Sequence, residues 1–316
     1  MRETKFLLFF KWIYIFSDFN FSTIHLIVIL FLNHIIRREN KNAVVNNVNK
    51  WFVTNMKLSI HGCRGSTATS SSITKKYGGN TSCFEIRTDN HQFIFDAGSG
   101  FQNIEFSKNT VTYLLLSHFH HDHIQGLPFN SQLFDIKNEV IVSSDLFDIE
   151  NVKTTVQEYF SPPYFPIDIV SSLPNIKFLP FKDIQKQLEA NLSLESIALN
   201  HPGGSTGYKL TQKESSFVYL CDNEFAEDQR EPLAAFSKNA DLLVWDGMFT
   251  ENELAGKKGW GHSSIKEAID FNTEANCKKI LISHHAPYRS DKELDQIADN
   301  LPESFTLASD GLEIEV

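Results

Sequence analysis

Residues 117–123, with the sequence SHFHHDH, hold four histidines and one aspartate directly after three leucines at 114–116. An apolar run of this kind is typical of a buried strand, so the histidines begin where a strand ends. Imidazole nitrogen and carboxylate oxygen are ligands that zinc accepts. The alternative is a solvated loop, but its imidazoles would repel one another when protonated and would gain nothing without a metal. The stretch therefore predicts a metal site at the end of a strand.

Short apolar runs with the β-branched or aromatic content of strands recur on both sides of this stretch. Amphipathic helical patterns follow several of them, at 148–159, 230–238, 263–275 and 290–300. Strands of the first half have a hairpin-like pattern, whereas strand and helix alternate more evenly in the second half. This order predicts an α/β fold, an αββα sandwich of two mixed β-sheets flanked by helices. The predicted strands are 57–60, 93–95, 111–116, 140–142, 217–220, 242–245 and 280–282.

Ionisable residues stand directly after several of these predicted strands. Asp96, Asp222, Asp246 and His284 each occupy such a position, as does the histidine stretch. A site on one rim of a sheet sandwich requires ionisable residues at the ends of several strands, as found here. We therefore expect these side chains to meet.

The charge of the chain limits its substrates. The 316 residues carry a formal net charge of −10, with 29 Lys or Arg against 39 Asp or Glu. Residues 1–56 hold seven of the basic and three of the acidic side chains, so the remainder is more acidic still. Such a body repels nucleic-acid phosphates unless basic residues are concentrated locally. A small substrate, or one end of a larger one, is easier to accommodate.

Residues 1–55 differ in composition from the rest and contain an uncharged run at 19–36, followed at once by Arg37 and Arg38. A membrane-spanning helix needs roughly 20 apolar residues, and Asn and His side chains interrupt this run. It is therefore a marginal membrane anchor. The alternative is that Met56 is the working start, because an alternating strand pattern begins at residue 57. We expect an extension at 1–55 and one folded domain at 56–316.

The four cysteines, at positions 63, 83, 221 and 277, contain no C-x-x-C pair, so they indicate neither a zinc knuckle nor a redox motif. Cys221 ends one apolar run and Cys277 precedes another, which is typical of reduced, buried thiols. We expect a cytoplasmic protein, with membrane attachment through residues 19–36 as the alternative.

The pattern H-x-H-x-D-H at 118–123 resembles the signature of the metallo-β-lactamase superfamily. The resemblance continues at 95–100, 201–204, 219–222 and 283–285, and it covers essentially all of residues 57–316. It implies a hydrolase domain at 56–316 with two zinc ions per chain, Mn²⁺ or Fe²⁺ being the alternatives. A metal-binding module without catalytic activity is disfavoured, because a structural zinc needs only four ligands and this pattern offers seven.

The resemblance implies seven metal ligands in two groups: His118, His120 and His201 for one ion, and Asp122, His123 and a late histidine for the other, with Asp222 bridging the two. For the late ligand His284 is preferred because it directly follows a predicted strand, and His285 is the alternative. Asp122 would also orient the attacking water. His121 points elsewhere in the family pattern.

Two features narrow the subclass. An aspartate at 222 resembles the phosphodiesterase, ribonuclease Z and glyoxalase II branches, whereas the antibiotic-hydrolysing branch often has cysteine there. Residues 260–264, WGHSS, resemble the G-H-S-T segment of ribonuclease Z and related phosphodiesterases, in which the histidine faces the substrate phosphate. The resemblance thus implies that His262 is catalytic. The alternative is a structural His262 at the start of the helix, whose ring hydrogen-bonds a backbone carbonyl. Asp246 is placed either to orient His262 or to serve as a buried structural acid.

The substrate is the least determined feature. Ribonuclease Z carries a protruding basic arm, and no such insert is evident here. A helical pattern at 152–160 instead leads into SPPYFP at 161–166, which predicts a short lid. Tyr164 and Phe165 of this lid either stack on a base or pack the lid against the body.

We therefore expect a phosphodiesterase that acts on a small phosphodiester such as a 3′,5′-cyclic nucleotide. The alternatives are a ribonuclease Z-like RNA-processing nuclease and a thioester or lactone hydrolase of the glyoxalase II type. No extended nucleic-acid surface is expected, and a homodimer is left open.

Overall fold

Within residues 56–107, 110–135 and 139–316, which the computed structural model describes, a seven-stranded and a six-stranded β-sheet form the centre of the fold. The strands are β1 (Lys57–Gly62), β2 (Cys83–Arg87), β3 (His91–Phe95), β4 (Val111–Leu115), β5 (Val140–Ser143), β6 (Ile176–Phe178), β7 (Leu192–Leu199), β8 (Ser205–Gln212), β9 (Ser215–Leu220), β10 (Leu242–Asp246), β11 (Lys279–Ser283), β12 (Phe305–Leu307) and β13 (Glu313–Glu315). The α-helices are α1 (His121–Ile124), α2 (Gln132–Asp135), α3 (Ile149–Tyr159), α4 (Ile169–Ser172), α5 (Phe181–Gln187), α6 (Arg230–Phe236), α7 (Glu251–Leu254), α8 (Ile265–Ala275) and α9 (Asp291–Ala298).

Both sheets are mixed, as predicted. The first has the order β13-β1-β2-β3-β4-β5-β6, antiparallel from β1 to β3 and parallel from β3 to β6. The second has the order β12-β11-β10-β9-β8-β7, antiparallel from β7 to β9 and parallel from β9 to β12. The prediction of a hairpin-like first half is therefore wrong after β3, because the later connections are long crossovers rather than tight turns.

Side chains from the facing sides of the two sheets form the central core. The rings of Phe95 and Phe217 are 5.2 Å apart, and those of Phe84 and Tyr219 are 5.3 Å apart. All four residues are fully buried. On the outer face of the second sheet, Trp245 packs on another buried ring, that of Phe271 in α8, at 4.9 Å. The predicted sandwich with helices outside the sheets is confirmed.

Helix α8 begins just after His262 because of a capping box. The Ser264 side chain accepts a hydrogen bond from the backbone N–H of Glu267, and the Glu267 carboxylate accepts one from the Ser264 N–H at 2.7 Å. The predicted helix at 263–275 thus starts at Ile265, because Ser264 is its N-cap. His262 is held in the loop that precedes the helix.

The predicted extension at 1–55, with its apolar run at 19–36, lies outside the described residues. Among the helices that are described, none combines the length and apolar character needed to cross a membrane. All four cysteines are free and buried, in agreement with the prediction of core thiols.

Candidate metal centre

The predicted metal ligands converge at one rim of the sandwich. His118 follows β4, Asp222 follows β9, His284 follows β11, and His201 lies in the turn between β7 and β8. These predicted ligands form two groups, and within each the potential ligand atoms lie within 4.8 Å of one another. The first group is His118, His120 and His201; the second is Asp122, His123, Asp222 and His284.

Asp222 lies between the two groups. Its Oδ1 is 3.1 Å from Nε2 of His123, and its Oδ2 is 3.6 Å from Nε2 of His201 and 3.8 Å from Nε2 of His118. Burial raises the pKa of Asp222, but His123 and His284 outweigh it and hold the pKa well below its ordinary value. The side chain is therefore a carboxylate with one oxygen toward each group, the arrangement that a bridging ligand requires.

Asp122 closes the second group. Its Oδ2 is 3.4 Å from Nε2 of His123 and 3.9 Å from Nε2 of His284. The same oxygen accepts a hydrogen bond from the backbone N–H of Ser66 at 2.7 Å. Sequence reasoning missed Ser66, since a backbone donor leaves no trace in residue type.

Four of the buried side-chain polar atoms that lack a hydrogen-bond partner belong to the two ligand groups: Nε2 of His118, His123 and His284, and Oδ1 of Asp222. Buried polar atoms nearly always have a partner, and each one left unpaired costs about 1–3 kcal/mol. Imidazole nitrogens and carboxylate oxygens brought together in this way fit two first-row transition-metal ions, zinc among them.

Asp96 fixes the orientation of His123. Its fully buried carboxylate accepts hydrogen bonds from Nδ1–H of His123 at 2.7 Å, from the Ser117 N–H at 2.7 Å and from the Tyr219 hydroxyl at 2.8 Å. An imidazole that donates from Nδ1 presents Nε2 as its free acceptor, the state that a metal needs. Sequence reasoning placed Asp96 at the rim without giving it this role.

His201 is oriented by a backbone carbonyl. Its Nδ1–H donates to the oxygen of Gly261 at 2.7 Å. Gly261 has a φ of +84°, and a Cβ there would lie 2.3 Å from Nδ1 of His201, so only glycine fits. The Glu224 carboxylate holds this loop by accepting from the Gly259 and Gly261 amides, at 2.7 and 2.9 Å. Glu224 was not singled out from the sequence, and Gly261 was named only as part of the segment at 260–264, without this role.

Left-handed backbone recurs at the strand ends that carry the centre. Asp96, Asp222 and His284 have φ values of 63°, 60° and 56°. Such non-glycine conformations cost roughly 1–3 kcal/mol each and cluster at functional sites. The strained exits turn each side chain from its strand toward the rim.

The structure distinguishes the two candidates for the late histidine. The Nδ1 atom of His284 is 3.0 Å from Oδ1 of Asp222, so this ring belongs to the second group. His285 instead donates from Nε2 to the carbonyl of Ala308 at 2.9 Å, and burial lowers its pKa to about 3. His285 is thus a buried neutral residue of the core.

His262 and Asp246 form a buried pair next to both groups. Nδ1–H of His262 donates to the Asp246 carboxylate at 2.8 Å, as expected if Asp246 orients the ring. Asp246 also accepts from the backbone N–H of Met248 at 3.1 Å. Burial lowers the pKa of His262, but the Asp246 carboxylate outweighs it and raises the pKa to about 9. A third potential ligand group joins His262 to His201 and Asp222, and the bond to Asp246 leaves only Nε2 of His262 free.

The remaining predicted residues lie beside the centre. His121 is exposed and hydrogen-bonds the Tyr159 hydroxyl through Nδ1, away from both ligand groups. Phe165 is half-buried and packs on a core cluster, whereas Tyr164 is 83% exposed. Packing of the lid against the body thus accounts for the position of Phe165, but it does not account for the exposed ring of Tyr164.

Comparison with known proteins places the chain in a family. A model described as "Beta-lactamase superfamily domain" matches residues 91–285. Ribonuclease Z of Haloarcula marismortui is 22% identical over 294 residues, which cover 75% of this chain and 91% of that protein. The solved structure of the metallo-beta-lactamase fold protein YhfI from Bacillus subtilis has a TM-score of 0.62 at 19% identity and covers 83% of this chain and 100% of its own. A diphosphatase from the PhnP family has a TM-score of 0.61 at 15% identity and covers 83% of this chain and 97% of its own.

The fold and the histidine-aspartate centre define a metal-dependent hydrolase with the metallo-β-lactamase fold. The chain belongs to the beta-lactamase superfamily.

Proposed function

We propose that the protein is a phosphodiesterase that uses two zinc ions to hydrolyse a small phosphodiester such as a 3′,5′-cyclic nucleotide. The observation that carries the proposal is the pair of His262 and Asp246. The His262 ring lies 5.3 Å from the ring of His201 and 4.8 Å from that of His284, one residue from each ligand group. With its pKa raised to about 9, His262 is a cation at neutral pH. A cationic donor beside two metal ions suits the negative phosphoryl group.

Different residues have different roles in such a reaction. When bound, the metal ions supply Lewis-acid charge and make water a nucleophile at neutral pH. The seven predicted ligands would hold them. Asp122, fixed by the Ser66 amide, orients the attacking water. His262 protonates the departing oxygen or donates to a phosphoryl oxygen, and Asp246 keeps its ring oriented and protonated.

A small substrate is favoured over RNA by the segment between β5 and β6. Residues 144–175 hold one Lys, no Arg and five Asp or Glu. An arm that grips RNA needs cations in contact with phosphates, because phosphate neutralisation supplies most of the affinity. Helix α3 of this segment exposes Glu150 and Glu158 instead, and Asp168 caps α4.

A ribonuclease Z-like nuclease is the second candidate, since ribonuclease Z of H. marismortui aligns over 91% of its length. A panel of 3′,5′-cyclic nucleotides, a p-nitrophenyl phosphodiester, precursor transfer RNA, a thioester and a lactone separates the candidates on metal-loaded protein. The proposal expects the highest kcat/KM on a small phosphodiester. Faster cleavage of precursor transfer RNA would favour the nuclease, and turnover of the thioester or lactone alone would favour the glyoxalase II type of activity.

A further inference from the structure

A cavity of about 740 Å³ lies next to helix α1, the helix that carries Asp122 and His123 of the second ligand group. His121 lines this cavity, and it stands between His120 and Asp122, one from each ligand group. Consecutive Cα atoms are about 3.8 Å apart, so one wall of the cavity is continuous with the backbone that carries the ligands. Its volume is in the range of small-molecule sites, roughly 300–1,000 Å³.

Aromatic rings form one side of the cavity. Phe165 meets Phe129 and Phe160 edge to face, with ring centroids 6.0 and 5.9 Å apart. These contacts fix the plane of the Phe165 ring. Phe129 is 65% exposed despite its contact with Phe165, and Tyr164 is 83% exposed, so packing within the protein covers little of either ring. Exposed rings around a cavity of this size are suited to covering a flat ligand.

Polar but mostly uncharged groups complete the lining. Ser99, Gln102 and Gln125 contribute hydroxyl and amide groups, which can donate to or accept from the edge of a heterocycle. None of the residues that line the cavity is Lys or Arg, and Glu158 is its one acid. A phosphate would find no Lys or Arg here, so the lining favours an uncharged ring.

We infer that this cavity is the subsite for a nucleobase of the substrate, an inference that rests on the proposed phosphodiesterase function. The base stacks on the Phe165 side and its edge meets the amides of Gln102 and Gln125. The phosphodiester of the same nucleotide then reaches the metal centre along α1. The subsite makes nucleotides, rather than phosphodiesters without a base, the substrate class.

Uncharged nucleosides test the subsite without requiring turnover. Adenosine, guanosine, cytidine and uridine are titrated calorimetrically into the metal-loaded full chain. At least one should bind with a Kd below about 1 mM. Phe165→Ala should weaken that binding roughly 10-fold or more, as expected for loss of a stacking ring. Thr155→Trp should abolish it, because Thr155 lines the cavity from the half-exposed face of α3 and a Trp there fills the space without removing a core contact.

Phe134→Ala is the matched control, because Phe134 is 53% exposed and does not line the cavity. Absence of nucleoside binding, or equal binding by Phe165→Ala, Thr155→Trp and the control, overturns the subsite. Nucleoside binding that depends on Phe165, in a protein that hydrolyses no phosphodiester, supports the subsite and refutes the proposed function. Hydrolysis of cyclic nucleotides with KM unchanged in Phe165→Ala and Thr155→Trp supports the proposed function and refutes the subsite.

Discussion

At the scale of single residues, the chemistry depends on which nitrogen of each imidazole is free. Nδ1–H of His123, His201 and His262 donates to Asp96, to the carbonyl of Gly261 and to Asp246, respectively. His123 and His201 are thereby fixed with Nε2 toward Asp222, and the ring of His262 is held beside the centre. The Asp246 carboxylate also raises the pKa of His262 to about 9, so this ring carries a proton at neutral pH.

Replacing His262 by Ala should lower kcat on the best phosphodiester by roughly 10²–10⁴ and leave both metal ions bound. The reason is that Nδ1 of His262 is engaged by Asp246, outside the two main ligand groups. The loss should shrink on a p-nitrophenyl phosphodiester, whose leaving group needs little protonation. Steady-state kinetics and metal analysis of the same preparation give the result.

The control for that variant is His61→Ala, which removes another imidazole paired with a carboxylate, Glu85 at 2.9 Å, outside the ligand groups. It should retain full activity. A His262→Ala protein with intact metals and unchanged turnover would remove His262 from the mechanism and favour thioester or lactone hydrolysis.

The rate should also fall at alkaline pH. The pKa of His262 is raised to about 9, so the cationic form is present at neutral pH and is lost as pH rises through that value. Metal cations nearby oppose protonation, so the fall is expected at or below pH 9. Asp246→Asn removes the carboxylate that raises this pKa and should move the fall to lower pH in a profile of kcat/KM. A profile that is flat to pH 10 in both proteins would contradict this role.

The sequence predicts the ligands better than the groups that orient them. His118, Asp222 and His284 are visible because each is a metal-binding residue type directly after an apolar strand. Ser66 and Gly261 act through backbone atoms, and no side-chain pattern records a backbone N–H or carbonyl. Tyr164 and Phe165 were assigned to the lid from composition alone, which does not tell stacking on a ligand from packing on the core.

At the scale of elements, the centre is built from the ends of strands and the loop before α8. Strands β9, β10 and β11 are parallel neighbours, so Asp222, Asp246 and His284 leave the second sheet at the same edge. His118 leaves the first sheet after β4. Periodicity predicts these elements well because their cores are apolar. The parallel pairing of β3 to β6 was not predicted, since the pairing of strands depends on residues far apart in the sequence and a local pattern does not record it.

Gly261→Ala should weaken metal binding and lower activity, because the added Cβ would lie 2.3 Å from Nδ1 of His201. Gly259→Ala is a matched control, since Gly259 has the same φ of +84° but a Cβ there meets nothing within 4 Å. Both variants carry the backbone strain, and only Gly261→Ala carries the clash. Metal titration should show roughly 10–100-fold weaker binding for Gly261→Ala alone. Equal behaviour of the two variants would mean that the loop does not position His201.

At the scale of the whole molecule, one sandwich carries every residue assigned to the centre. A chain that starts at Met56 should therefore fold and turn over substrate as the full chain does, because β1 begins at Lys57 and no motif residue lies upstream. Circular dichroism, thermal unfolding and kcat/KM of the two chains provide the comparison. Aggregation or inactivity of the shorter chain would show that residues 1–55 belong to the fold.

Metal content of pure, active protein tests the two-metal centre most directly. Elemental analysis should find close to two transition-metal ions per chain. His120→Ala should lose at least one of them together with activity, and because His120 is the exposed member of its group, the substitution should leave the core intact. Full activity in protein that contains no transition metal would contradict the two-metal centre and every role derived from it.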